Sequence, residues 1–492
     1  MKVRSVKTNY FLNLVRAASY ALITIITMPY VNRILGPASI GKVEYVNTII
    51  NYFILFSALG IPLYGIREIA KVRTEKVNRD KLTVELLLIL TITSLLSYLV
   101  LFGIIYQLNF FESYRELILL MSIMIVLSNL GAEWYFQGME DQVYITIRYV
   151  LVRIIAVVLL FLMVREPGDE LYYAITIVIT VCGSNVFNVF FLLKEIDFKK
   201  ITLKSINLKK HLKPIFTIFL AAVSINIYLQ LDNFMISSIS GDKFLGYYAV
   251  SNKLIRFVIT FITIIGVVLL PRLSNLYGSD MVQYNYYLKK SFNLIVLVAI
   301  PSTVLFFVYP SSIIELFASA DFEPSVLTMR ILSPLCIIVG IAYFLGYLLL
   351  YTQNSERIYT KAVLISALFS VGVNFFAISR FQQNGAAVVA VLSELLAIII
   401  MLYFVKQQIS ELKLYDRNFL KIVFAGIVTF LLTFFSYKYM SSFNHFIMIG
   451  VLFLPFLIFY MLLFLFKENV LMEIVTFTVQ KVRDKGGSNS DK

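Results

Sequence analysis

Long apolar stretches separated by short polar connections run almost from end to end of this chain. About fourteen windows reach the roughly 20 apolar residues that a helix needs to span a bilayer. They fall near 10–31, 43–65, 84–106, 116–136, 149–165, 171–193, 214–239, 246–270, 291–310, 326–351, 362–380, 385–405, 422–440 and 446–466. In hydrocarbon each backbone N–H and C=O must be bonded internally, so segments of this length and apolarity read as helices. The predicted fold is all-α: a polytopic membrane protein with about 14 transmembrane helices.

The polar positions repeat. Gly36, Gly41 and Asn47 have counterparts in Gly241, Gly246 and Asn252, each 205 residues further on, and both sets join an outward span to an inward one. Gln137 and Glu140 are echoed by Gln353 and Glu356 after the fourth span of each half. Six spans per half is an even number, so both halves enter from the same side and the repeats are parallel, with a cavity expected between two bundles. The expected organisation is a six-helix bundle at 1–193, a basic cytoplasmic linker at 194–213 and a second six-helix bundle at 214–405. Two extra helices follow at 406–466, then a cytoplasmic tail at 467–492 whose first part alternates apolar and charged residues as an interfacial helix would.

Composition supports this reading. The chain is 59% hydrophobic with a mean hydropathy of +0.83, above the ~45–50% apolar content of soluble domains. Its net charge of +14 is not a nucleic-acid signature, because the cations crowd into alternate connections. Lys2, Arg4 and Lys7 form one group, Arg67 to Lys81 another, and Lys194 to Lys213 a third, whereas Pro310 to Ser325 carries acids and no cation. The positive-inside rule then places both termini in the cytoplasm. Arg16 interrupts the first apolar stretch, so that stretch reads as a retained helix rather than a cleaved signal. Cys182 and Cys336 lie inside spans and suggest neither a disulfide framework nor a metal site.

Charges inside spans carry the functional signal. An arginine at bilayer depth costs about 2.5–3.5 kcal/mol on insertion scales and persists where it faces a partner or a watery cavity. Span one carries Asn9, Asn13, Arg16, Tyr20, Thr24 and Thr27 at three- and four-residue steps, which lie on one helical face. Span eight repeats the arrangement with Tyr248, Asn252, Arg256, Thr260 and Thr263. A guanidinium binds phosphate bidentately and keeps its charge when partly buried, so both faces suit an anionic cargo. The same faces could instead serve as interhelical glue. Lys253 lies one turn outward of Arg256, somewhat off its face. Arg153 and Arg330, near span ends, are expected to reach lipid headgroups. Asp232, Asn374 and Glu394 also lie within spans. They either hold Na⁺ or exchange H⁺, or Glu394 simply neutralises Arg256 or Lys253. Phosphate-binding glycine loops are absent, and the two histidines, His211 and His445, lie at span ends far apart in sequence. Catalysis is not expected, and no cofactor other than a coupling ion is implied.

The stretch Pro29 to Ala70 contains Pro29-Tyr30, Arg33, Leu35-Gly36-Pro37, Gly41, Leu59-Gly60 and Tyr64-Gly65-Ile66-Arg67-Glu68. A second stretch reads Trp134-Tyr135-Phe136-Gln137-Gly138-Met139-Glu140 and runs to Ile147-Arg148. Together they resemble the Wzx-type polysaccharide repeat-unit flippases of the multidrug/oligosaccharidyl-lipid/polysaccharide superfamily, and the twelve-plus-two span count extends the likeness over nearly the whole length. The resemblance implies a cargo of oligosaccharide joined through diphosphate to undecaprenol, moved from the inner to the outer leaflet of a bacterial plasma membrane. It implies membrane lipid as surroundings, and a polysaccharide polymerase and chain-length regulator as protein partners, with no nucleic acid. Arg16 and Arg256 would bind the diphosphate, with Asn13, Asn47, Asn252 and Lys253 as further contacts. Asp232, and less directly Asn374 and Glu394, would couple an ion gradient. A lipid II flippase, a drug/cation antiporter and, in a different class, a polysaccharide polymerase or ligase are the alternatives.

Overall fold

The computed structural model describes residues 6–197, 201, 206–440, 450–473, 475 and 476. Its helices are α1 Val6–Ala58, α2 Ile61–Val72, α3 Lys76–Gly103, α4 Arg115–Leu130, α5 Glu133–Gly138, α6 Gln142–Met163, α7 Glu170–Glu195 and α8 Lys209–Ser240. They continue as α9 Asp242–Leu276, α10 Met281–Val308, α11 Pro310–Phe317, α12 Ser325–Leu332, α13 Leu335–Tyr343, α14 Glu356–Leu412, α15 Arg417–Met440 and α16 Leu454–Leu465. No strand occurs among the described residues. Among the described residues nine helical stretches are long and apolar enough to cross a membrane, or ten if the bent pair Leu22–Ala58 and Ile61–Val72 counts as one span. The hydropathy pattern predicts fourteen, and the difference has visible sources. α14 covers two predicted spans in one element. Many side chains of spans one and seven, and residues 441–449, which include the start of span fourteen, lie outside the described residues, as does most of the tail.

Lipid explains the surface. Leu95, Leu96 and Leu99 on α3, Leu151, Ile154 and Ile155 on α6, and Leu368, Phe375 and Phe376 on α14 are all more than half exposed. Apolar area on this scale is untenable in water and natural in hydrocarbon. This is a multi-pass membrane protein.

The chain forms two compact units. The first comprises residues 1–249 with 317–321, and the second residues 250–316 with 322–492. In the first, α1 packs against α3, α4, α6 and α8, and α7 against α4 and α6. Helix α1 is two helices joined at Gly36, whose φ of 71° and ψ of 175° break the helical path ahead of Pro37. The same break recurs at the repeat position: Gly241, at φ 103° and ψ 164°, ends α8 before Asp242 opens α9. The two elbows interlock. A Cβ on Gly41 would lie 1.7 Å from the carbonyl oxygen of Asp242, and one on Gly246 would lie 2.0 Å from that of Pro37. Each glycine of one repeat therefore seats the elbow of the other. Polar ties surround the crossing. The Tyr114 hydroxyl donates to both Asp242 carboxylate oxygens, at 3.0 and 2.9 Å, Ser237 donates to Asp242, and the Asn32 amide donates to the Phe317 carbonyl at 2.9 Å. Lys42 pairs with Glu170 at 2.6 Å.

The other end of the first unit is an aromatic and aliphatic knot where α2 lies against α5. Its closeness rests on Gly65, whose Cβ would meet the Trp134 ring at 2.6 Å, and on Gly138, whose Cβ would meet Ile69 at 2.8 Å. The motif residues Tyr64-Gly65 and Trp134 to Gly138 thus have a packing reason to exist.

In the second unit α10 packs against α13, α15 and α16, while α12 and α13 pack against α14. Helix α14 breaks at Gln382 (φ 49°, ψ −131°), between its two predicted spans. A buried π-helical segment, Phe344–Leu350, follows α13. Asp280 and Asp416 cap their helices by accepting from the Gln283 and Phe419 backbone N–H groups, each at 2.9 Å.

Candidate functional site: two cationic helix faces

The first cationic face is built by α1, α5 and α6. Helix α4 ends at Leu130, and Ala132 then takes a left-handed turn with φ 40° and ψ 48°. A non-glycine residue there stores about 1–3 kcal/mol of strain. The turn redirects the chain into the short helix α5 and presents Glu133 to α1. Arg16 donates to Glu133 Oε1 at 2.5 Å, with both side chains about a quarter to a third exposed. Gln137 donates to the same oxygen at 3.0 Å. Arg16 therefore stands in a partly open place and carries a counter-ion that spacing alone did not reveal.

Helix α6 adds two more guanidinium groups. Arg153 is 1% exposed, so it does not reach the headgroups expected of it. It lies 3.6 Å over the Tyr149 ring, bonds the Tyr149 hydroxyl and donates to Ser19 at 3.3 Å. The opposing apolar environment is supplied by protein, and an inward hydroxyl on α1 holds the tip. Arg16 also lies 5.8 Å from the Tyr149 ring, so one phenol ring serves two cations. Arg148 is 6% exposed and faces the rings of Tyr144 and Phe136 at 5.0 and 5.6 Å. The signal was present as a doubled pattern, Tyr144-x₃-Arg148-Tyr149-x₃-Arg153, with each tyrosine one turn before its arginine.

Asn13 carries a side chain outside the described residues. Asn47, on the second half of α1, keeps its Oδ1 buried without a hydrogen-bond partner among the described residues. Asp232 on α8 accepts from the Tyr248 hydroxyl at 2.9 Å, and the neighbouring Asn233 amide reaches Thr48 at 3.5 Å. An aspartate, a phenol and an unsatisfied amide oxygen are thus contributed by α8, α9 and α1 of the first unit.

The second face belongs to the second unit. Arg256 is exposed, and its Nε donates to Asn252 Oδ1 at 3.0 Å. Thr260 donates to the Arg256 carbonyl at 2.9 Å, and Thr263 to that of Thr260 at 3.0 Å. The stripe satisfies itself along its own helix and leaves the guanidinium fork open. Lys253 is half-buried beside it. Asn374 is fully buried and donates to Ser370 at 3.1 Å. Glu394 is half-buried and bears electrostatically on Tyr359, which packs 5.3 Å from Tyr347. Arg330, the other arginine expected at headgroups, donates to the Phe307 carbonyl at 3.2 Å.

Sequence reading passed over His211 as a span-end residue. It is buried, accepts or donates at Tyr64 OH through Nδ1 at 2.7 Å, and meets Glu85 through Nε2 at 2.9 Å. Lys210 also pairs with Glu85 at 2.8 Å. This cluster fastens the start of α8 to α2 and α3.

Comparison with known proteins meets the same two arginine-bearing helices. A model described as "Polysaccharide biosynthesis protein" matches residues 6–277, which hold both faces. The chain belongs to that family. A second model, Lipid II flippase MurJ, matches residues 145–460, so the chain lies where the polysaccharide biosynthesis family and the MurJ family overlap. A relative named "Putative O-antigen transporter" from Escherichia coli (strain K12) is 22% identical over 407 residues, covering 80% of this chain and 95% of that protein. One of the same name from Shigella dysenteriae is 24% identical and covers 81% and 100%. Among solved structures, lipid II flippase MurJ in an inward closed conformation superposes with a TM-score of 0.74 at 14% identity, over 94% of this chain and 99% of that one. An inward-facing multidrug resistance MATE family transporter gives 0.65 at 15% identity, over 81% and 98%. This chain therefore shares the fold of these two transporters.

Proposed function

We propose that this protein is a flippase that carries lipid-linked oligosaccharide repeat units from the cytoplasmic to the outer leaflet of a bacterial plasma membrane by alternating access. The observation that carries the reading is a pair of guanidinium-bearing helix faces, at Arg16 and Arg256, inside a member of the polysaccharide biosynthesis family. A sugar-diphosphate head cannot cross about 30 Å of hydrocarbon unaided. Arginine forks compensate its charge, and the asparagines and threonines beside them offer neutral hydrogen bonds to sugar hydroxyls. The polyprenol tail stays in lipid. A hollow of about 500 Å³ between α1 and α3, lined by Tyr52, Phe53, Phe56, Leu96 and Val100, is suited to hydrocarbon and not to sugar.

The reading is transport rather than catalysis, supported by relatives named as transporters or flippases. Both termini are assigned to the cytoplasm from the cation distribution, and a polymerase and a chain-length regulator are the protein partners the product requires. Asp232 with Tyr248, and Asn374 and Glu394 in the other unit, are assigned to Na⁺ or H⁺ coupling. Transport in vesicles under a Na⁺ gradient alone and a proton gradient alone distinguishes the two ions, and equal rates without either gradient remove these residues from the role.

Depletion of the protein should leave single lipid-linked repeat units on the cytoplasmic leaflet. Their accumulation on the outer leaflet would mean that translocation is intact, and would point to a polymerase step instead. A second reading, lipid II as cargo, is favoured by the match of the MurJ family model over residues 145–460. Rescue of a lipid II flippase deletion by this chain would establish it.

A further inference from the structure

The Arg16–Glu133–Arg148 group contains an imbalance that a single arrangement leaves unresolved. Arg148 is 6% exposed, and among the described residues none of its three guanidinium nitrogens has a partner at close hydrogen-bonding geometry. A buried, unpaired charge costs several kcal/mol, while a cation–π contact returns only about 0.5–2 kcal/mol. Of the two rings over Arg148, the Tyr144 phenol bears on it most strongly, but a neutral phenol leaves the charge uncancelled. Phe136, three residues along α5 from Glu133, is one of these rings, so the α5 face that carries Glu133 lies against Arg148, and Glu133 and Arg16 bear on its charge in opposite senses.

Glu133 is held loosely. Arg16 and Gln137 both bond Oε1, and Oε2 makes no bond among the described residues. The contact with Arg16 therefore uses one carboxylate oxygen, short of the paired geometry that makes such ion pairs strong. Glu133 also follows directly on the strained Ala132 turn, and its side chain is 30% exposed, so it has room to move.

We infer that Glu133 is a movable counter-ion shared between Arg16 and Arg148. It pairs with Arg16 in the arrangement seen, and passes to Arg148 when a diphosphate takes Arg16. The exchange keeps every charge partnered: the incoming anion replaces a carboxylate, and the carboxylate meets a guanidinium already desolvated to receive it. Arg148 is then a positioning residue that lets ligand enter without stranding Glu133. The identity of the anion rests on the proposed function, but the exchange itself does not.

The test is a double-mutant cycle in thermal stability on the full chain in lipid nanodiscs, pairing Glu133→Gln with Arg148→Gln. The cycle is run in the native background and again with Arg16→Gln, which removes the competing partner without any ligand. Coupling between 133 and 148 should be small in the first background and several-fold larger in the second. Equal or smaller coupling after Arg16→Gln overturns the exchange. Where Arg148→Gln does not insert, Arg148→Lys, which keeps charge but loses the fork, enters the same cycle, again with larger coupling expected after Arg16→Gln. Binding of undecaprenyl diphosphate supplies the second readout. Arg148→Gln should weaken it about tenfold, or ~1.4 kcal/mol, but leave it unchanged in the Glu133→Gln background. An equal loss in both backgrounds would overturn the exchange by placing Arg148 on the ligand itself. Failure of the native protein to bind this probe would sink the substrate reading, with the stability cycle still deciding the exchange.

Discussion

Among the described residues the Arg256 side chain bonds Asn252 alone, through Nε, which leaves its fork open. The two terminal nitrogens are the pair that grips a phosphate edge-on. Arg256→Ala should insert normally and lose at least about tenfold in export, since one charge-assisted hydrogen bond is worth ~1.5–3 kcal/mol. Arg256→Lys should retain part of the activity, because the charge survives and the planar fork does not. Export of repeat units in cells with matched protein levels checks both, and full activity of the alanine variant would remove Arg256 from the mechanism. Sequence spacing singles out Arg16 and Arg256 because a charge at membrane depth is conspicuous in one dimension. It missed Glu133 as the partner of Arg16, since the two are 117 residues apart and no local pattern links them. Arg153 was misjudged for a related reason. Nearness to a span end shows depth, but whether that depth faces lipid or Ser19 is decided by a neighbouring helix.

At the scale of elements, the elbows at Gly36 and Gly241 and the crossing at Gly41 and Gly246 place different demands on glycine. Gly36 has nothing within 4 Å of an added Cβ, so Gly36→Ala meets only the backbone penalty at φ 71° and ψ 175°, about 1–3 kcal/mol. Gly41→Ala would drive its methyl into the Asp242 carbonyl at 1.7 Å, a main-chain atom that cannot rotate away. It should cost several times more, by separating the two helices, and Gly246→Ala should do the same against Pro37. Thermal unfolding of the three variants gives the order, and a Gly41→Ala loss no larger than that of Gly36→Ala would refute the crossing as drawn. These elements were legible as positions, because the repeat offset marked all four glycines. What they do was not legible, since periodicity within one copy says nothing about contact with the other. The breaks inside α1 and α14 followed the predicted span limits. The π-helical segment after α13 did not follow from any hydropathy signal, because its residues are as apolar as those of the helix it continues.

At the scale of the whole chain, the alternation of cationic and acidic connections predicts which loops face which side. The two native cysteines are buried, so introduced ones can be read against a quiet background. Ser319→Cys, in the connection without cations, should react with an impermeant maleimide from outside intact cells. Lys210→Cys, at the start of α8, should react only after permeabilisation, and the reverse pattern would invert the topology. Charge asymmetry is the one sequence signal that assigns an orientation, and these two variants test it. The two compact units were less readable in sequence, because their boundary falls inside α9, between Ala249 and Val250, in an apolar run with no break in pattern.

The interlocked elbows have an evolutionary consequence. Duplicated segments ordinarily drift apart, each copy answering to its own surroundings. At this crossing each copy is the other's surroundings: position 41 rests on residue 242, and position 246 on residue 37. A larger residue at either glycine is excluded by the opposite copy, so neither can be released by divergence in its own half. Kinship between the halves should therefore fade last at this crossing, long after the rest of the sequence has forgotten it.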